Sequence, residues 1–215
     1  MLNVELSSNK KVNILLLGAH CDDIEIGCGG TILRLISEYN IQHIKWIVFT
    51  STEERRKEAL ESAEYFLKKV DSKEIVIYNF KDTLLAESNL DIKSLLESIK
   101  ADFTPDLIFT HHRHDLHQDH RLLSELTWNT FRNHLILEYE IPKYDGDLGH
   151  PNFFITLDDT VVSQKIQALL KYYTSQRQKH WFDSETFLSL LRVRGLEIAS
   201  PTRYAEAFHV KKVSF

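Results

Sequence analysis

Short aliphatic runs alternate along the chain with stretches whose apolar residues recur every three or four positions. The run VNILLL at 12–17 ends at a glycine and is typical of a buried strand. The segment 51–70 opens with a Ser/Thr–Glu capping signature and then places alanines, Phe66 and Leu67 on one helical face. The same pattern predicts further strands at 44–50, 74–80 and 105–112, and further helices at 29–40, 90–103 and 119–135.

Strands that alternate with helices of this length predict right-handed crossovers and a mostly parallel sheet with helices on both faces. Beyond residue 136 the alternation weakens. Segments 135–142 and 152–157 are candidate strands, and 160–176 and 184–195 are candidate helices. The Pro/Gly-rich segment 142–152 is expected to be a surface loop near the functional site. The fold class is therefore α/β, a three-layer αβα sandwich, and 215 residues are expected to form a single domain, 1–215.

Composition narrows the classes of function. The chain has 26 basic and 31 acidic residues, a net charge of -5, and no basic stripe, so nucleic acid is not an expected partner. No apolar run approaches the roughly 20 residues needed to cross a bilayer, so no transmembrane segment is expected. The first ten residues lack the apolar core of a signal peptide, which favours a cytoplasmic protein with free Cys21 and Cys28 thiols. Whether it forms a homo-oligomer is left open.

Two polar clusters follow predicted strands. The first, GAHCDDIEIGCGG at 18–30, comes directly after the first strand, and the second, THHRHDLHQDHR at 110–121, comes after the fourth. Five of the eleven histidines fall within the second cluster. Ligands of an open parallel sheet bind beyond the carboxyl ends of its strands. The two clusters are therefore expected to meet at one edge of the sheet.

Side chains from both clusters can bind a metal ion. His20 and Asp23 offer a nitrogen and a carboxylate three residues apart, and His120 offers a second nitrogen from the other cluster. Two histidines and one carboxylate suit Zn²⁺ with a fourth position open for water. We expect one zinc ion per chain, although other divalent metals would fit the same ligands.

The neighbouring polar residues have expected roles in hydrolysis. Asp22 is placed to accept a proton from the attacking water. His117 is expected to hydrogen-bond a developing oxyanion or to help protonate a leaving group. Asp115 and Asp119 are expected to orient the histidines. His111 and His114 are expected to be solvated loop histidines.

The glycines of the first cluster have a separate expected purpose. Gly27, Gly29 and Gly30 would let the backbone approach a neighbour closely. They would also present exposed N–H groups at the entrance to the next helix, where an anionic group is favoured.

Three stretches carry a resemblance to a known family. AHCDDIEIGCGGT is similar to the A-H-P-D-D-x-E-x-G-x-G-G-T motif of the PIG-L/LmbE-like zinc-dependent N-acetylglucosaminyl de-N-acetylases. HRHDLHQDH resembles the family's second motif, H-x-x-D-x-H-x-D-H, and RYAEAFHV resembles its closing stretch. The resemblance implies a Rossmann-like fold and a hydrolase that removes the acetyl group from an N-acetylated amino sugar or its conjugate.

The resemblance also implies roles for individual residues. It makes His20, Asp23 and His120 the zinc ligands, Asp22 the general base, and His117 the residue that stabilises the tetrahedral intermediate. The substrate-contacting residues that it implies are Asp82 in NFKDTLL, Arg55 or Arg56, and Tyr204, which would close the site.

One position departs from the family's motif, because Cys21 stands where proline is usual. The loss of proline is expected to loosen the loop between ligand and base and to place an oxidisable thiol beside the metal. Two other functions stay open. One is a metallohydrolase of another amide or ester. The other is a non-catalytic nucleotide- or sugar-binding module that uses the glycine-rich turn.

Overall fold

The computed structural model describes residues 10–213, which form seven strands, six α-helices and two short 3₁₀ helices. The chain ends of the expected 1–215 domain lie outside the described residues, as does most of the segment in which no signal peptide was expected. Among residues 10–213, no helix combines the length and apolarity that crossing a bilayer requires.

The elements follow the predicted alternation of strands and helices. The strands are β1 Val12–Gly18, β2 Ile41–Thr50, β3 Lys73–Phe80, β4 Leu107–His111, β5 Leu135–Tyr139, β6 Phe153–Leu157 and β7 Tyr204–His209. The helices are α1 Asp23–Glu38, α2 Glu53–Phe66, α3 Asn89–Asp102, α4 Gln118–Thr130, α5 Asp159–Tyr172 and α6 Ser184–Glu197, with 3₁₀ helices at Leu85–Ser88 and Thr174–Gln176.

All seven strands form one sheet in the order β3-β2-β1-β4-β5-β7-β6. Strands β1 to β5 are parallel, whereas β7 is antiparallel to both β5 and β6. The predicted α/β sandwich with a mostly parallel sheet is thereby confirmed. Because β1 and β4 are neighbours, the two polar clusters that follow them lie side by side.

Side-chain alternation along β1 divides the interior into two cores. Ile14 and Leu16 belong to the core shared with α1, α2 and α5, and Leu15 and Leu17 to the core shared with α3 and α4. Successive strand residues point to opposite faces, so a strand buried on both sides is apolar throughout. This explains why the aliphatic run of β1 predicted a buried strand.

The start of α1 differs from the prediction. The helix begins at Asp23, so the three glycines lie inside it and not before it. A Cβ at Gly27 would lie 2.2 Å from the Tyr139 ring, and one at Gly30 would lie 2.5 Å from Leu157. The expected close approach is present, but the expected exposed N–H groups are not.

The N–H groups of α1 near Gly30 contact an anion from the chain itself. Gly30 and Thr31 donate to the Glu206 carboxylate at 2.8 and 2.7 Å, and Lys165 donates to the same carboxylate at 2.6 Å. Glu206 lies in β7, which the apolar pattern alone did not predict as a strand. The closing motif of the sequence thus joins α1 to β7, the strand between β5 and β6.

Candidate metal centre

The expected metal ligands come from three adjacent pieces of backbone. His20 lies two residues beyond β1, Asp23 is the first residue of α1, and His120 lies in the first turn of α4. All three side chains are buried, with His20 only 8 % exposed. The parallel pairing of β1 with β4 therefore brings together residues that are 100 positions apart.

Their ligand atoms form a small triangle. His20 Nδ1 lies 3.0 Å from His120 Nε2 and 3.2 Å from Asp23 Oδ2, and the third side measures 3.5 Å. A tetrahedral zinc ion with bonds of about 2.0–2.1 Å would separate its ligand atoms by about 3.3–3.4 Å. The dimensions of the triangle fit such an ion.

The ring nitrogens that point away from the triangle, here called the outer nitrogens, are His20 Nε2 and His120 Nδ1, and their contacts also fit a metal site. His120 Nδ1 lies 2.9 Å from Asp115 Oδ2, and His20 Nε2 lies 3.1 Å from Asp82 Oδ1 and 3.3 Å from Asp119 Oδ2. Ionised carboxylates only accept hydrogen bonds, so the outer nitrogens carry the protons. The inner nitrogens then direct lone pairs at each other, an arrangement that a cation between them satisfies.

The electrostatics of the triangle favour a cation. Burial opposes charge on both His20 and Asp23, yet the charge of Asp23 and the hydrogen bonds that His20 donates to Asp119 and Asp82 raise the pKa of His20 well above its ordinary value. The nearby histidines, His120 foremost, hold the pKa of the buried Asp23 carboxyl well below its usual range. A proton and a metal ion therefore compete for His20.

Asp22 differs from Asp23 in its partners. Its Oδ1 accepts a hydrogen bond of 2.5 Å from the guanidinium of Arg55, on the first turn of α2. Arg55 also lies 3.9 Å from Asp82 Oδ2. The Asp82 side chain is half-exposed, and its hydrogen bond to His20, stronger in effect than its partial burial, lowers its pKa to about 2.

His117 has a defined ring orientation. It is the N-cap residue of α4, and its Nδ1 accepts a hydrogen bond from the backbone N–H of Asp119 at 3.3 Å. Burial together with the charges of His120 and His20 lowers the pKa of His117, which favours the neutral ring. In a neutral ring whose Nδ1 accepts, Nε2 carries the proton and can donate it.

Asp115 and Asp119 contact the expected ligands. Asp115 bonds His120, and its other oxygen accepts the N–H of His117 at 2.8 Å. Asp119 contacts His20 and also accepts the N–H groups of Thr83 and Leu85 at 2.8 and 3.2 Å. These hydrogen bonds connect the loop that follows β3 to the carboxylate that contacts His20.

Two of the residues expected at the site contact other parts of the chain. The Arg56 guanidinium donates to the carbonyl of Ile77 in β3, whereas the adjacent Arg55 reaches Asp22. Tyr204 starts the strand that carries Glu206, and its ring packs beside the cluster of Leu157, Val162 and Leu191. The role of Tyr204 in closing the site stays a prediction.

His111 was expected in solvent and is instead fully buried at the end of β4. Its Nε2 accepts the N–H of Ala19 at 2.9 Å, and its ring stacks on that of His120 at 3.9 Å. The sequence signal was its position as the last residue of an apolar strand, where a side chain alternates inward. His114, by contrast, is exposed as expected.

Residues 15–131, more than half of the chain, match the PIG-L model, described as GlcNAc-PI de-N-acetylase. The chain belongs to the PIG-L family of deacetylases. An uncharacterized deacetylase of Escherichia coli (strain K12), YaiS, is 30% identical over 175 residues, which cover 77% of this chain and 93% of that one.

Solved structures share the fold of this PIG-L family member. N,N'-diacetylchitobiose deacetylase from Pyrococcus horikoshii, determined with its inhibitor MPG, is 23% identical with a TM-score of 0.70, over 93% of this chain and 83% of that one. The 4-carboxy-2-hydroxymuconate hydratase GalB of Pseudomonas putida KT2440 is 16% identical with a TM-score of 0.69, over 96% and 99% of the two chains. At these identities the likeness concerns the fold alone.

Cys21, where the PIG-L motif usually has proline, is fully buried. Its thiol donates to the carbonyl of Thr50 in β2 at 3.4 Å, and burial raises the pKa of the thiol to about 12. A thiolate is the form that oxidises readily, so this environment disfavours the oxidation that the sequence suggested. The bond to β2 also fixes the segment that proline would otherwise stiffen.

Proposed function

We propose that the protein is a zinc-dependent hydrolase that removes the acetyl group from an N-acetylated amino sugar or its conjugate. The observation that carries the proposal is the triangle of His20 Nδ1, Asp23 Oδ2 and His120 Nε2, with sides of 3.0 to 3.5 Å. Membership of the PIG-L family supports the reaction class.

His20, Asp23 and His120 would hold the zinc ion. When bound, Zn²⁺ supplies Lewis acidity, which makes a water molecule acidic enough to attack near neutral pH. The adjacent Asp22 carboxylate is not one of the expected zinc ligands, and its Oδ1 accepts a hydrogen bond from Arg55. Asp22 accepts one proton from the attacking water and returns it to the leaving amine, so that the C–N bond breaks and acetate forms.

His117 acts on the carbonyl oxygen of the substrate. Because its Nδ1 accepts the Asp119 N–H, the Nε2–H is free to donate to the oxyanion that forms when water attacks. Asp119 and Asp115 hold His20 and His120 respectively and leave their inner nitrogens available.

Arg55 and Asp82 are the proposed contacts to the sugar. Asp82 is half-exposed beside His20, and Arg55 lies between it and Asp22. A carboxylate and a guanidinium together offer acceptors and donors for neighbouring hydroxyl groups. Of the two arginines expected from the sequence, Arg55 is therefore the proposed contact to the sugar.

The proposal is tested by an acetate-release screen with zinc-loaded protein. The substrates are N-acetylated monosaccharides, nucleotide sugars and glycolipids, and a chromogenic acetate ester serves as the probe for a general hydrolase. We expect acetate from at least one amino sugar and loss of zinc, by elemental analysis, in His20→Ala and His120→Ala. Hydrolysis of the ester alone, or a full zinc content in both variants, contradicts the proposal.

A further inference from the structure

The loop 142–152 carries a lysine that is almost completely withdrawn from solvent. The Lys143 ammonium lies 3.0 Å from Asp115 Oδ2 and 2.5 Å from Asp147 Oδ2, and the exposed fractions of the three side chains are 9%, 3% and 7%. A buried ammonium is costly unless it is paired, and here two carboxylates share it. The arrangement is therefore a built charge cluster and not a surface contact.

The cluster reaches an expected metal ligand through a single atom. Asp115 Oδ2, which contacts Lys143, is also the oxygen that accepts from His120 Nδ1 at 2.9 Å. A chain of contacts thus runs from the loop through Asp115 to the imidazole of His120.

The same loop is fastened to the segment that carries His117. Asp147 Oδ2 accepts the N–H of Leu116 at 2.6 Å, and Asp115 Oδ1 accepts the N–H of His117 at 2.8 Å. Lys143 lies between these two carboxylates. Without its charge, Asp115 and Asp147 would face each other as unneutralised carboxylates in a poorly solvated space, where like charges repel strongly.

We propose that Lys143 is a positioning residue for the metal ligand His120 and that it acts through Asp115. The inference rests on the proposed zinc site. Lys143 neutralises the Asp115 carboxylate and keeps Oδ2 in line with His120 Nδ1, so that the opposite nitrogen of the ring stays directed at His20 and Asp23. Partners that orient a metal ligand in this way typically alter metal affinity about 10–100-fold.

The test measures zinc affinity by competition with a chromogenic chelator, independently of turnover. Lys143→Met is expected to weaken zinc binding about 10–100-fold, and Lys143→Arg, which retains the charge, to restore most of it. Lys45→Met is the matched control, because Lys45 pairs with Glu74 across β2 and β3, away from the site. If Lys143→Met does not fold, Lys143→Gln carries the same expectation.

A second measurement separates positioning from general loosening of the loop. In an Asp115→Asn background, replacement of Lys143 is expected to cause little further loss of zinc affinity, because the connection to His120 is already broken. Additive losses, or a wild-type affinity in Lys143→Met, overturn the inference. If wild-type protein and Lys143→Met bind zinc equally well, only the role of Lys143 is contradicted. If wild-type protein binds no zinc, the proposed function itself is contradicted.

Discussion

Two adjacent aspartates at the start of α1 have different surroundings. Asp23 Oδ2 lies within 3.5 Å of nitrogens from His20, His111 and His120, whereas Asp22 Oδ1 is bonded to Arg55. Asp22 is the N-cap residue and Asp23 is the first residue of α1, so their side chains leave the backbone in different directions. The two carboxylates can therefore perform different functions, one as a ligand and one as a base.

This difference predicts opposite results for two isosteric variants. Asp22→Asn is expected to keep zinc but lose about 10²–10⁴-fold in kcat, the contribution typical of a general base. Asp23→Asn is expected to lose zinc. Elemental analysis measures the zinc content of each variant, and acetate release measures its kcat. Comparable kcat in Asp22→Asn and wild-type protein, at equal zinc content, would remove Asp22 from the mechanism.

Glu25, one turn into α1, is a buried acid outside the ligand triangle. It is fully buried, and Tyr173 donates to its Oε1 at 2.6 Å. Burial raises its pKa from 4.5 to about 8, against the effect of hydrogen bonds from Ser62 and Tyr173. Its contribution to stability is complete below pH 4.5, where it is protonated in folded and unfolded chains, and is lost as the pH rises through about 8.

Glu25→Gln is therefore expected to remove part of the decline in stability between about pH 4.5 and about pH 8. Urea unfolding of chelator-treated protein measures this effect. The free energy of unfolding of the variant, relative to that of wild type, should rise by about 1 kcal/mol or more from roughly pH 5 to pH 8. Glu61→Gln, on the exposed face of α2, is the control. A constant difference between the two proteins across this range would show that Glu25 is ionised throughout.

Helix α1 lies closer to its neighbours than a helix of ordinary residues can. Its glycines face the Tyr139 ring, Phe66 of α2, and Leu157 with Glu206. The Tyr139 ring has little freedom to withdraw, because its hydroxyl donates to the carbonyl of Leu17 in β1 at 2.7 Å. The close packing sets the position of the helix that begins with Asp23.

Gly27→Ala should accordingly destabilise the protein by about 1–3 kcal/mol, the usual cost of overpacking a core. Urea denaturation measures this loss as a lower midpoint with an unchanged slope. Ser37→Ala, on the exposed last turns of the same helix, provides the comparison. A wild-type midpoint for Gly27→Ala would mean that α1 can move away from β5 at no cost.

At the scale of the whole molecule, the proposed zinc site joins segments that are distant in sequence. It spans the β1–α1 junction and α4, and the loops around Thr83 and Lys143 are bonded to its surrounding carboxylates. A ligand that binds only the folded chain stabilises it by mass action. Because the ligand atoms come together only after β1 and β4 pair, zinc is expected to stabilise the entire sheet.

Zinc at about 100-fold above its dissociation constant is expected to add about 2.7 kcal/mol to the free energy of unfolding. Thermal unfolding with and without a chelator measures the effect, and Asp23→Asn should show none. If zinc raises the Tm of Asp23→Asn as much as that of wild type, the stabilising zinc binds at another site.

Local patterns along the chain predict the alternation of strands and helices and show which residue types follow β1 and β4. Helical and strand periodicities are local, so they were readable without the fold, and the PIG-L motifs identified the family. Local patterns also predicted the ligand set, which stays a prediction, and they missed β7, whose six residues include the buried Glu206.

Which residues come into contact depends on the packing of segments that are far apart in the sequence. Arg55 contacts Asp22 whereas Arg56 contacts Ile77, His111 is buried, Tyr204 packs beside Leu157, Val162 and Leu191, and Lys143 contacts Asp115. These outcomes depend on strand order and on the way α1 and α2 lie on the sheet, which are set by packing between distant segments. Periodicity along a chain tells which face of an element is apolar, but not which other element will cover it.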